Sequence, residues 1–161
     1  MKKEITVVTL TTVFNRKKET LRSLKTLIKS CENSGLTAYH FVVDDGSSDG
    51  TKEAIKLNHK EVEVIIGNGQ LYWAGGMRYG YEFINKQIEY DFLIAYNNDC
   101  IFYEDSIKYQ INGFENERLN VGIVVGSLKS SNEKNQISYG GRKLRWKTKL
   151  LPPSFTLVQP S

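Results

Sequence analysis

A chain of 161 residues is long enough for one domain with a sizeable core, burying roughly 70% of the surface its unfolded chain exposes. Its 40% hydrophobic and 25% charged residues are those of an ordinary globular domain and exclude a disordered or fibrous chain. A net charge of +4 is only an electrostatic prior for nucleic-acid binding, and two cysteines are too few for a disulfide framework or a metal cage.

Residues 1–4 lead directly into a strand pattern, with neither a signal-peptide core nor a run long enough to span a membrane, so the default expectation is a cytoplasmic protein. Residues 4–12 (EITVVTLTT) are a continuous β-branched run, as expected of a strand covered on both faces and central in its sheet. Phe14, Asn15 and Arg16 break that run. Leu21, Leu24, Leu27, Ile28 and Cys31 then recur at helical spacing until Asn33, Ser34 and Gly35 supply a stop. A second strand, 37–43, runs into the acidic turn 44–50 (DDGSSDG), where Ser48 or Asp49 can cap a short helix through Ile55. Val62, Val64 and Ile66 alternate along a third strand, 61–66.

The glycine-rich segment 67–80 (GNGQLYWAGGMRYG) follows and opens a helix that continues through Gln87. Glycines such as Gly75 and Gly76 let backbone approach a ligand, and amides at a helix start favour anions. A fourth strand, 92–96, ends in Asn97, Asn98 and Asp99, and a helix over about 105–117 precedes a fifth apolar strand, 121–127. Beyond a polar loop, residues 136–141 read as a short strand and 142–150 as a half-exposed one, whereas the Pro152-Pro153 tail shows little organisation. Repeated strand-helix units predict an α/β fold with a mostly parallel, Rossmann-like sheet flanked by helices and right-handed crossovers. We expect one domain over 1–161, with a core over 1–127 and a hairpin and tail over 128–161.

In such a sheet, ligands bind outside the carboxyl ends of the strands. Asp44, Asp45 and Asp99 stand at two such ends and could serve a hard cation, Mg2+ or Mn2+, together with a phosphorylated ligand, since these ions use few carboxylates and fill their shell with phosphate oxygens and water. Asp-Gly and Asn-Asp pairs are also common in turns, where their side chains bond nearby backbone. His40 and His59 have no partner at ligand spacing and read as a strand and a loop residue, while Cys31 and Cys100 read as reduced packing residues.

The ordered set 7–16 (VVTLTTVFNR), 42–51 (VVDDGSSDGT), 68–80 and Asn97-Asn98-Asp99 resembles the donor-binding half of family 2 glycosyltransferases of GT-A fold, over about residues 4–127. The Asn-Asn-Asp and Ala-Gly-Gly segments look most like the rhamnosyltransferase-type branch. The resemblance implies inverting transfer of a sugar from a nucleotide-diphosphate donor, a UDP- or dTDP-sugar, to a saccharide or lipid-linked acceptor in cell-surface polysaccharide synthesis. It implies Thr11, Asn15 and Arg16 beside the nucleotide, Asp44 and Asp45 on base and ribose, and Arg78 near base or phosphate. It also puts Asn97 and Asn98 at the donor and Asp99 on a divalent cation, with Asn97 standing where the family's metal motif has its first Asp. Tyr72 and Trp73 could line the sugar pocket, although packing is the commoner role of aromatics at a helix start.

The acidic segment expected to supply the catalytic base does not follow the fifth strand, so the base is unassigned and the fold is expected to be truncated on its C-terminal side. A non-catalytic nucleotide-sugar-binding module is the alternative. The basic residues Arg142, Lys143, Arg145, Lys147 and Lys149 fit a solvated edge strand, with a phosphate-bearing acceptor or the anionic inner face of a membrane as the other candidates. No nucleic-acid motif is visible, nor a lysine-bearing phosphate loop near 13–18 of the kind a nucleotidyltransferase would carry. A missing second half would leave a face suited to self-association.

Overall fold

The β-branched run near the amino terminus forms β1, Thr6–Val13, and it lies inside its sheet, as a run covered on both faces must. In the computed structural model the described residues are 4–114 and 122–129, together with the backbone of 137–139, 142–145 and 154–157. The elements continue as α1, Lys17–Asn33; β2, Thr37–Asp44; α2, Thr51–Asn58; β3, Val62–Ile66; α3, Tyr72–Ile84; β4, Phe92–Ala95; and α4, Ser106–Asn112. Four parallel strands pair in the order β3-β2-β1-β4.

Strand parity sends alternate residues to opposite helical layers. Val8, Leu10, Phe41, Val43 and Ile65 pack with Ile84 of α3 and, at the edge of that cluster, with Met77 of α3 and Leu71 just before it. Val13, Val42 and Val62 pack on the other face with Leu24 and Ile28 of α1 and Ile55 of α2. The helices fit because apolar positions recur at a period near 3.6: Leu24, Leu27, Ile28 and Cys31, with the small polar Thr20 and Ser23, make the buried stripe of α1. Fully burying a side chain such as Leu10 or Leu24, both 1% exposed, contributes roughly 1.5–3 kcal/mol.

By internal contacts the chain divides into two compact units, Met1–Lys108 and Tyr109–Ser161, the division falling within α4. In the second unit, β5 (Leu128–Lys129) pairs antiparallel with β6 (Ile137–Tyr139), and β7 (Arg142–Arg145) pairs antiparallel with β8 (Ser154–Leu157).

Three expectations are corrected here. Residues 122–127 form no strand; Ile123 is exposed and residue 121 lies outside the described residues, because an apolar run records β-propensity but cannot supply a ladder partner. The helix expected to reach residue 117 ends at Asn112, where Gly113 N donates to Tyr109 and Gln110 carbonyls; 115–117 lie outside the described residues. The tail, expected to lack organisation, contributes β8. Of the basic segment, Arg142, Lys143 and Arg145 lie in β7, and Lys147 and Lys149 lie outside the described residues.

Candidate functional site

The acidic turn after β2 is the knot that ties the carboxyl end of the sheet together. Asp45 is buried at 4% exposure, and its carboxylate accepts Gly69 N at 2.8 Å on Oδ1, and Leu71 N at 2.8 Å and Tyr72 N at 2.9 Å on Oδ2. It thereby caps α3 from another loop, since Leu71 and Tyr72 open that helix and Leu71 has no side-chain cap of its own. Asp49 does the same for α1: its Oδ2 accepts Arg16 N and Lys17 N, both at 3.0 Å, while its Oδ1 accepts Thr51 N at the start of α2. Hydrogen bonds from Thr51 and Lys17 hold the Asp49 carboxyl below the ordinary carboxylate pKa. The expected capping of α2 by Asp49 is present, extended to a second helix that sequence spacing does not show. Asp44 is turned to its own loop, accepting Ser47 N at 2.8 Å.

The turn after β1 is stitched to the same knot. Asn15 N donates to Ser47 Oγ at 2.9 Å, and Asn15 Oδ1 accepts Ser48 N at 2.8 Å. Asn15 and Tyr72 are the non-glycine residues with positive φ, 47° and 54°, among those described. An aromatic residue in the left-handed region is strained, at a cost on the order of 1–3 kcal/mol, and persists where its surroundings over-determine it. Here the Asp45 carboxylate supplies that constraint.

These loops enclose a cleft of ≈ 390 Å³ lined by Thr12, Val13, Phe14, Arg16, Asp45, Gly69, Tyr72, Trp73 and Asn98. Its size falls within the range of about 300–1,000 Å³ usual for small-molecule sites. Tyr72 and Trp73 are 81% and 52% exposed, so core packing is not what they do. A larger hollow of ≈ 720 Å³ lies at the opposite, amino end of the strands, lined by Glu4, Thr6, Asn85, Ile88, Glu89, Tyr90 and Asp91. With three carboxylates and no basic residue in its lining, it is the wrong electrostatic partner for a phosphate.

Among the residues singled out by sequence, the cleft brings together Arg16, Asp45 and Asn98. Asn98 is anchored, its Nδ2 donating to buried Thr20 Oγ1 at 3.0 Å. Exposed Asn97 and Asp99 follow β4 beside it, and Arg16 Nη1 meets Asp99 Oδ2 at 2.9 Å. Asn15, Asp44, Asn97 and Asp99 lie on the turns around the cleft and outside its lining, and four other expected residues do not reach it. Thr11 is fully buried on the α1 face, its Oγ1 without a hydrogen-bond partner, whereas Thr12, one position along, faces α3 and lines the cleft. Gly76 faces the sheet, where a Cβ would collide with the Thr12 side chain, so its smallness serves helix packing. Gly75 sits against Leu71, outside the lining. Arg78 points to solvent on α3, with Nε 3.9 Å from Glu82 Oε1. Thr12 was legible only through strand parity, which needs the position of α3 to say which parity matters.

Burial pushes the Cys31 thiol up to about 12 and raises Cys100, so both are held as protonated thiols, in keeping with packing roles. Among the described residues no group of three or more His, Cys, Asp or Glu is placed to hold a metal. The half-exposed Asp99 carboxylate is nevertheless a hard oxygen donor of the kind Mg2+ or Mn2+ uses singly when phosphate oxygens complete the shell, so the donor set fits a cation that arrives with a diphosphate.

The family model described as Glycosyl transferase family 2 matches residues 9–157. A comparison with curated proteins finds no match. Among solved structures, the crystal structure of S. aureus TarS 1-349 is similar, with a TM-score of 0.51 and 17% sequence identity, covering 71% of this chain and 33% of that one. The chain thus spans about one third of that structure's length.

Proposed function

The chain belongs to glycosyl transferase family 2, with an α/β fold of GT-A type, and on that premise we propose that the cleft in its first unit binds a nucleotide-diphosphate sugar. The proposed donor is a UDP- or dTDP-sugar, and the proposed reaction is inverting transfer to a hydroxyl of a saccharide or lipid-linked acceptor in polysaccharide synthesis. The observation that carries this reading is the cleft at the carboxyl ends of β1, β2 and β4, with a cation, an amide side chain and three aromatic rings in one lining. The amino ends of α1, α2 and α3 are gathered around one loop, where the Asp49 and Asp45 carboxylates cap them and so fix the walls beside the cleft.

In this reading the Arg16 guanidinium forks onto diphosphate oxygens. Phe14, Tyr72 and Trp73 offer flat apolar faces to base and sugar. Asp45, both of whose oxygens are engaged by backbone amides, acts on the ligand by fixing the 67–72 wall. Asp99 would hold the Mg2+ or Mn2+ that accompanies the donor. When bound, that cation offsets the charge that grows on the departing diphosphate.

Calorimetric titration of the full chain with UDP, dTDP and GDP, each with and without Mn2+, tests the reading. We expect metal-assisted binding of one nucleotide that is lost in Asp99→Ala. If folded protein binds none of the three, the donor-site reading fails.

A further inference from the structure

Resting on that reading, we propose that Arg16 is a latch on Asp99, so that the nucleotide diphosphate binds first and only then frees the carboxylate for the divalent cation. Arg16 Nη1 and Asp99 Oδ2 are 2.9 Å apart, and the two side chains are about half exposed, 55% and 50%. They come from turns 83 residues apart in the chain. Arg16 is held there: its backbone N–H is fixed by Asp49 Oδ2 at 3.0 Å, and the residue lines the cleft.

The electrostatics follow from counting charge. Asn97 is neutral, so the carboxylate of Asp99 is the acidic group of this strand end, and Arg16 already cancels it. A dication approaching without nucleotide meets a neutral pair with one carboxylate oxygen occupied and a guanidinium within a few ångströms, where like charges repel appreciably even in water. A diphosphate changes the balance, because its oxygens give the planar fork a bidentate partner of higher charge than one carboxylate. Arg16 then turns from Asp99 to the phosphate, and the released carboxylate and the phosphate oxygens together form an oxygen shell suited to Mg2+ or Mn2+. Because both side chains are exposed, the exchange needs only rotamer changes and no repacking of the core. Linkage makes the effect reciprocal: whatever factor the nucleotide adds to metal affinity, the metal adds to nucleotide affinity.

The test is Mn2+ binding to the full chain without nucleotide, read from the loss of the free-ion electron paramagnetic resonance signal, with nucleotide titrations of the same proteins in parallel. Arg16→Gln removes the charge and the latch, and should bind Mn2+ alone roughly fivefold more tightly than the parent. Arg16→Lys keeps the charge and should stay close to the parent, which guards against a change caused by altered folding. Adding Asp99→Asn to Arg16→Gln should abolish the gain. If Arg16→Gln binds Mn2+ no more tightly than the parent while the parent binds UDP, dTDP or GDP, the latch is wrong and the donor site stands. If the parent binds none of these nucleotides, the donor site falls and the latch falls with it.

Discussion

At Asp45, two carboxylate oxygens accept three backbone amides, and the residue is almost wholly buried. A side-chain amide offers one acceptor oxygen and turns two donors toward groups that are themselves donors. A buried N–H left without a partner costs about 1–3 kcal/mol. Asp45→Asn should therefore destabilise the protein by roughly 2–3 kcal/mol, measured by urea denaturation, and should loosen the 67–72 loop on which Tyr72 is held at positive φ. A loss below about 0.5 kcal/mol would show that the loop does not depend on this carboxylate. The same residue type at Asp99 has the opposite setting: its side chain is half exposed and, among the described residues, pairs with the half-exposed Arg16 guanidinium.

Among the elements, α3 is the one whose sequence invites two readings. Its glycines suggest close approach to a ligand, yet Gly76 and Gly80 lie one turn apart on the face against the sheet, both buried. A Cβ at Gly80 would stand 2.6 Å from Leu10 Cδ1 and 2.8 Å from Val43 Cγ2. Gly80→Ala would gain about 1 kcal/mol of helix propensity but overpack a close-fitted layer at a cost of roughly 1–3 kcal/mol. The expected outcome is a net loss of stability, seen as a lower midpoint of thermal unfolding; a rise in the midpoint would mean that the helix can lift off the sheet at no cost. On β1, the one-residue shift from Thr11 to Thr12 exchanges the α1 face for the α3 face; both residues are buried, but only Thr12 lines the cleft.

For the molecule as a whole, acid stability should carry the mark of one buried side chain. His40 stands opposite Thr9 across the β1/β2 ladder, with Nδ1 2.9 Å from Thr9 Oγ1. Burial, the largest cause, pushes its pKa from 6.5 down to about 4, Glu61 opposing the shift and His59 adding to it. Between those values the unfolded chain binds the proton and the native state does not, so stability falls as pH drops from about 6.5 to about 4. The total is on the order of 3 kcal/mol. Asp49 and Glu104, whose folded pKa values lie below 3.8 and 4.5, lose their contributions mainly below that window. Denaturation free energies from pH 7 to 5 should thus decline in the parent and stay flatter in His40→Gln; equal slopes would remove His40 as the cause.

The sequence by itself determined the alternation of strands and helices from β1 to β4, because β-branched runs and 3.6-residue apolar periods are local properties that each segment carries with it. It also located the acidic turn and the Asn97-Asn98-Asp99 end at the carboxyl edge of the sheet, since both follow apolar strands. Only the tertiary structure decided which of those polar groups remain free to act. Asp45 and Asp49 are spent on the amino ends of other helices, Gly76 on Thr12, and Arg16 on Asp99, all through partners distant in sequence. Nothing in local spacing records such pairings. The same reason explains why residues 122–127 read as a strand yet form none: propensity belongs to the residue, whereas a ladder partner belongs to the fold.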